Sequence, residues 1–199
     1  KMTTSCCPAF VNMIQKHYPA LVSNMSTTVS PMTATARMIK AMDPNAIVVF
    51  VGPCIAKKGE VLDSIIQGSA DYALTFEELH VMLRAKEIEF ILDTEELQQA
   101  SIYGKKFASA GGVTAAVLRA IEEKGSDHKE YVAHQCNGAK ECKKALVLLR
   151  NGKIKEDLIE GMICEGGCVN GPGSVSVGPV MNRNRNELLG KADDREIYR

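Results

Sequence analysis

Apolar and polar positions along the chain alternate between a helical and a strand-like period. Behind Pro8, which suits a first helical position, Phe10, Val11, Ile14 and Leu21 keep helical spacing and predict a helix over residues 8–21. Ser30-Pro31 opens a second helix with Met32, Ala36, Ile39 and Ala41 on one side, and Asp43-Pro44-Asn45 is a turn. The apolar run 46–51, ended by Gly52-Pro53, has the length and β-branching of a buried strand in a parallel sheet. Residues 71–74 form a short strand. Thr75 with Glu78 is a capping box, so a helix follows to about Ala85. Residues 90–93 and 94–96 read as a similar unit. A small-residue loop over 107–112 precedes a helix over 113–124. A strand over 131–134, a helix over 140–151 and a last strand over 158–163 complete the pattern. Repeated strand–helix alternation implies an α/β fold of mostly parallel sheets flanked by helices.

Composition narrows the function. The chain has 199 residues, 45% of them hydrophobic and 24% charged, enough to bury a core. Twenty-four Lys+Arg balance 24 Asp+Glu, which argues against a strongly basic nucleic-acid binder. No apolar run approaches the roughly 18 residues of a membrane span. No signal-peptide pattern precedes the first cysteines, so a cytoplasmic protein is expected. No repeat, low-complexity segment or long linker is visible.

The cysteines carry the chemistry. There are seven: Cys6, Cys7, Cys54, Cys136, Cys142, Cys164 and Cys168. An odd, unevenly spaced set fits a disulfide framework poorly and a metal site or reactive thiol well. Cys7 stands before a helix, Cys54 after a strand, and Cys164 and Cys168 flank a Gly-rich loop after the last strand. In open α/β sheets the carboxyl ends of strands are where ligands bind. Four thiolates meeting there suit a [4Fe–4S] cluster, and the neighbouring glycines allow close backbone approach. Zinc is the competing metal, but its sites usually pair two short Cys knuckles and only one short pair exists. Any single Cys is also a common small core residue, and that is the expectation for Cys136 and Cys142. His17, His80, His128 and His134 are not needed; His17 and His128 sit among polar residues, and His134 suits a structural hydrogen bond.

Three segments resemble the signature motifs of the [FeFe]-hydrogenase catalytic, or H-cluster, domain, in order. They are Thr4-Ser5-Cys6-Cys7-Pro8-Ala9-Phe10, Gly52-Pro53-Cys54-Ile55-Ala56-Lys57-Lys58-Gly59-Glu60 and Glu160-Gly161-Met162-Ile163-Cys164-Glu165-Gly166-Gly167-Cys168-Val169-Asn170-Gly171-Pro172-Gly173. Ser26 with Ser30-Pro31, and Phe107 with Gly111-Gly112-Val113, are similar to that family too. The resemblance implies two α/β lobes around a central iron–sulfur site over residues 1–176, with 177–199 a polar tail whose 182–186 run is exposed. It implies a [4Fe–4S] cluster on Cys7, Cys54, Cys164 and Cys168. Cys168 would bridge to a two-iron subcluster carrying CO, cyanide and azadithiolate ligands.

The reaction implied is reversible reduction of protons to H2, in anaerobic metabolism, with ferredoxin or an attached iron–sulfur domain as electron partner. Cys6 matches a proton-relay thiol and Ser26 a relay hydroxyl, though Ser26 also reads as a turn former. Lys57 matches a donor to cyanide held by Glu60, against the alternative of a solvated helix pair. Met162 and Phe107 match side chains packed on the subcluster, although generic core packing also accounts for Met162.

The departures keep other readings open. The family's segment before residue 3, with its relay carboxylates, and the accessory ferredoxin-like motifs are not in the sequence, so a fragment is expected. Whether such a fragment carries the two-iron subcluster stays open. Gly52 stands where the family usually has Met, and Met32 where Gln is common, as in its sensory branches. An H2- or redox-sensing domain, and an iron–sulfur assembly scaffold of the same fold without the two-iron subcluster, are the alternatives.

Overall fold

The computed structural model describes residues 1–88, 100–125 and 130–198. Its elements run β1 (Met2–Thr3), α1 (Pro8–His17), α2 (Pro31–Met42), β2 (Val49–Val51), α3 (Ala56–Val61), β3 (Tyr72–Leu74) and α4 (Phe76–Ala85). They continue with α5 (Ile102–Lys106), α6 (Gly112–Glu123), β4 (Ala133–Asn137), α7 (Ala139–Arg150), β5 (Leu158–Met162) and α8 (Gly178–Gly190). Among the described residues every strand pairing is parallel: β1–β5–β4 form one sheet and β2–β3 another. The α/β class expected from the alternation is therefore the class observed.

β5 is buried along its whole length because it is the central strand, with β1 on one side and β4 on the other. Its sheet packs on α1 and α7 through Phe10, Ile14, Cys136, Cys142, Leu146 and Ile159, all essentially inaccessible. Fully burying a side chain such as Phe10 or Leu146 stabilises the fold by about 1.5–3 kcal/mol. Gly161 on β5 is needed for this packing, since a Cβ there would overlap the Phe10 ring. A second, smaller core of Met32, Ala36 and Ala70 joins α2 to the β2–β3 sheet, with Phe50 and Val61 packed against it.

Several elements depart from the pattern, each for a local reason. α1 ends at His17 rather than near Leu21, because Pro19 disfavours helical geometry at Tyr18 (φ −137°, ψ 53°); the chain continues as a 3-10 turn over Pro19–Asn24. The run 46–51 is a strand only over Val49–Val51 and is not buried as expected. Among the described residues its sheet has two strands, and Ile47 and Val49 are 74% and 44% exposed. β4 starts two residues later than predicted. α4 has the full capping box read from Thr75 and Glu78. α5 and α8 were not anticipated; α8 lies within the stretch read as a polar tail, and Lys105 Nζ of α5 donates to its Leu188 carbonyl at 3.1 Å. The expected unit over 90–96 and His128 lie outside the described residues.

Candidate metal centre

Three of the parallel strands lead into cysteines that line one space. β1 leads into Cys6 and Cys7, β2 into Cys54 through Gly52-Pro53, and β5 into Cys164 and Cys168. Cys7 caps α1, its carbonyl accepting the Phe10 and Val11 N–H groups, each at 3.0 Å. The α1 N-terminus, the positive end of its dipole, thus opens at this space. Cys54 enters α3 with its carbonyl accepting Lys57 N–H at 3.4 Å. The five cysteines, with Met162, Phe107 and Lys57, line one cavity of about 830 Å³. Its wall is otherwise apolar or weakly polar, and among the described residues Lys57 is its single charged side chain.

The loop from Cys164 to Cys168 is tightly held. Gly167 adopts φ +99°, and a Cβ there would overlap the Ala108 carbonyl. That same carbonyl accepts Cys168 N–H at 2.7 Å, and Asn137 Oδ1 accepts Gly166 N–H at 2.6 Å. Gly173 N–H donates to the Pro53 carbonyl at 2.8 Å, which ties this loop to the one carrying Cys54.

The electrostatics of the thiols test whether an iron–sulfur group fits. Burial, reinforced by Cys7, Cys54, Cys164 and Cys6, pushes the Cys168 thiol up to about 12. Burial, then Cys7 and Cys54, raises Cys164; burial chiefly, with a smaller push from Cys7, raises Cys54. The thiols of Cys54, Cys164 and Cys168 thus hold their protons near neutrality, and a cationic metal core would displace those protons on binding. Among the described residues no three Cys, His, Asp or Glu side chains are arranged to hold one metal ion. The four thiols surround a volume, and a donor set of this kind fits a multinuclear thiolate-ligated cluster.

Lys57 and Glu60 are both buried, Nζ to Oε2 at 2.6 Å. The solvated-pair alternative for them does not hold. Glu60 Oε1 also accepts from the Ser30 and Thr33 hydroxyls, and Thr33 Oγ1 lies 3.0 Å from Ser69 Oγ. Ser30, Thr33 and Ser69 were missed as site supports; only Ser30 had a local signal, as the cap of α2. Met162 is buried and accepts the Cys168 thiol at 3.7 Å between the sulfurs.

Cys6 is half-buried, and its thiol is pushed up to about 11 by burial and then by Cys7 and Glu160. Its hydroxyl partner is Thr4, whose Oγ1 also accepts Gly161 N–H at 3.1 Å. Ser26 is not on the cavity wall: its Oγ donates to Thr28 Oγ1 at 3.1 Å. Glu160, a second omission, is fully buried and accepts Gly111 N–H at 2.9 Å and Thr114 N–H at 2.8 Å, fixing the start of α6 beside the Phe107 loop. Cys136 and Cys142 lie in the main core; their mutual hydrogen bond and burial push Cys142 up. His134 Nδ1 lies 3.5 Å from Glu156 Oε1, a structural role.

Comparison with known proteins shows the chain's family and fold. Residues 1–172 match the family described as iron only hydrogenase large subunit, C-terminal domain. The chain is 30% identical to iron hydrogenase 1 of Clostridium pasteurianum, covering 89% of this chain and 38% of that protein. It is also 30% identical to the periplasmic [Fe] hydrogenase large subunit of Nitratidesulfovibrio vulgaris, covering 89% of this chain and 51% of that one. The chain thus spans about half or less of the length of these curated relatives. A solved [FeFe]-hydrogenase structure, concerned with oxygen inactivation at the H cluster 2Fe subcluster, superposes with a TM-score of 0.71. At 20% identity, covering 98% of this chain and 66% of that one, this likeness is one of fold. No helix among the described residues is long and apolar enough to cross a membrane.

Proposed function

This chain belongs to the iron only hydrogenase large subunit family, matching its C-terminal domain, and from that premise we propose that it holds an H-cluster for reversible reduction of protons to H2. The observation that carries the reading is the meeting of Cys7, Cys54, Cys164 and Cys168, from three separate parts of the chain, on one apolar cavity whose only charged lining side chain among the described residues is Lys57. These four cysteines would hold a [4Fe–4S] cluster, and Cys168 would also hold a two-iron subcluster. When bound, that subcluster, with its CO, cyanide and azadithiolate ligands, supplies the redox-active metal and pendant amine at which protons and electrons combine.

The chain's own side chains bind, orient and carry protons. Lys57 Nζ, held from behind by Glu60, donates to an anionic ligand such as cyanide. Cys6 Sγ lines the cavity and keeps its proton at neutral pH, because burial holds its pKa near 11; its proposed role is to pass that proton inward. Ser26 is the proposed outer hydroxyl of the relay. Met162 and Phe107 exclude water and so strengthen the Lys57 interaction. Electrons come from ferredoxin or an attached iron–sulfur domain. The cytoplasmic location belongs to this proposal and is tested by cell fractionation, one relative being named as periplasmic.

A second reading, a sensor of H2 or redox state, is supported by two wall residues. Met32 and Gly52 both line the cavity, and the Phe50 ring lies 2.6 Å from where a Gly52 Cβ would be. One experiment separates the readings: anaerobic reconstitution with iron and sulfide, maturation, infrared spectroscopy and an H2 assay. Infrared bands of CO and cyanide with turnover above about 1 s⁻¹ support the enzyme. The same bands with slower turnover and an H2-dependent spectral change support the sensor. A cubane without those bands after maturation points to the assembly scaffold and overturns both.

A further inference from the structure

The polar run 182–186 is absorbed by none of the roles above, yet α8 brings one of its residues to the candidate site. Arg185 Nη1 donates to the Gly166 carbonyl at 3.2 Å. Gly166 is the middle residue between Cys164 and Cys168. Arg185 Nε is buried and has no hydrogen-bond partner. Among the described residues no carboxylate pairs with Arg185, whereas Arg183 on the same helix has Glu187 at 3.9 Å. The other groups clamping the loop are neutral: Asn137 Oδ1 accepts Gly166 N–H, and Asn170 Nδ2 donates to the Glu165 carbonyl at 3.1 Å. Lys57, which also lines the cavity, is neutralised by Glu60. The one carboxylate on the loop, Glu165, turns its side chain toward Gly138 at the start of α7. The guanidinium is therefore an unneutralised positive charge applied to the loop.

We infer that Arg185 raises the reduction potential of the [4Fe–4S] cluster by placing uncompensated positive charge against the Cys164–Cys168 loop; this rests on reading those two cysteines as ligands. Reduction adds one electron to the cluster. Iron–sulfur potentials follow net charge, hydrogen bonding and exposure around the sulfurs. A partly buried cation stabilises the reduced, more negative form, and little ionic screening reaches it. Arg185 acts through the loop and touches no reacting group, so it is a positioning residue. α8 thereby connects the C-terminal stretch to the electron-transfer properties of the site.

The test is a potentiometric titration, followed by electron paramagnetic resonance, of the full chain reconstituted with iron and sulfide but not maturated. Arg185→Gln keeps an amide donor for the Gly166 carbonyl and removes the charge. It should lower the ratio of reduced to oxidised cluster at a given potential about tenfold, a shift of about 59 mV for a one-electron couple. Arg185→Lys should retain most of the wild-type potential, and Arg183→Gln, at an exposed paired position, should leave it unchanged. An unshifted potential in Arg185→Gln with full iron content overturns the inference. So do equal shifts in the Gln and Lys variants, which would make the hydrogen-bond geometry responsible, or an equal shift in Arg183→Gln. Loss of iron in Arg185→Gln alone would assign it a merely structural role and overturn the charge effect. Failure of the wild-type chain to bind a cubane would overturn the ligand reading, and this inference with it.

Discussion

Replacing Glu60 with Gln should cost far more stability than replacing Lys57 with Met, although the two form one ion pair. Their side chains are only 10% (Lys57) and 5% (Glu60) exposed, so solvent screens neither charge well. Lys57 Nζ has Glu60 as its partner, while Glu60 also receives the Ser30 and Thr33 hydroxyls. Glu60→Gln strands a buried ammonium and should cost about 3–5 kcal/mol. Lys57→Met leaves a carboxylate that keeps two donors and should cost about 1–2 kcal/mol. The double variant strands no charge, so its cost should fall below the sum of the singles by about 2–3 kcal/mol.

The assay is urea denaturation of the metal-free chain under argon, with the slope checked for constancy. At a slope of about 2 kcal/mol per molar urea, a loss of 4 kcal/mol moves the midpoint by about 2 M. A Lys57→Met variant at least as unstable as Glu60→Gln, or a strictly additive double variant, would refute the argument that the hydroxyls of Ser30 and Thr33 carry part of the carboxylate's stabilisation.

Three further outcomes are expected. Cys54→Ala should reconstitute with less than half the iron of the wild-type chain, measured by elemental analysis of anaerobic material; full iron would remove Cys54 from the ligand set. The metal-free chain should lose stability above pH 9. Burial holds the thiols of Cys6 and Cys168 near 11 and 12 against an ordinary 9.0, so the folded state favours their protonated forms. That contribution is complete below pH 9 and is lost as pH rises through the folded values. Urea midpoints should fall between pH 9 and 11, less steeply in Cys6→Ser, and a flat profile would contradict the burial of these thiols. Gly161→Ala should lower Tm, because overlap with the Phe10 ring costs about 1–3 kcal/mol and outweighs the usual gain of about 0.4–1 kcal/mol for such a change. Phe10→Leu in the same chain should restore part of the loss; an unchanged Tm in Gly161→Ala would show that the ring yields freely.

The ligand candidates were legible because their signal is local: cysteines beside Gly or Pro, directly after strands, in three motifs whose order is itself information. The same holds for the α4 capping box and the parallel α/β pattern, which depend on a few neighbouring residues. Elements whose stability comes from distant parts were not legible. α8 has no strong apolar stripe and is held by contacts such as that of Arg185 with Gly166. The run 46–51 has a buried strand's composition, but composition does not say how many strands a sheet will contain. The support of Glu60 by Ser30 and Thr33 spans about 30 residues of chain, and Glu160 reaches across 46 to 49 residues to α6.

The sequence by itself thus determined the residue types, their order and the family they resemble. Only the tertiary structure decided which charges are compensated. It set Lys57 against Glu60 inside the fold, left Arg185 against the cysteine loop with no carboxylate partner among the described residues, and placed Ser26 away from the cavity. Charge compensation depends on distance and burial between residues far apart in the chain, and neither quantity is written in local pattern.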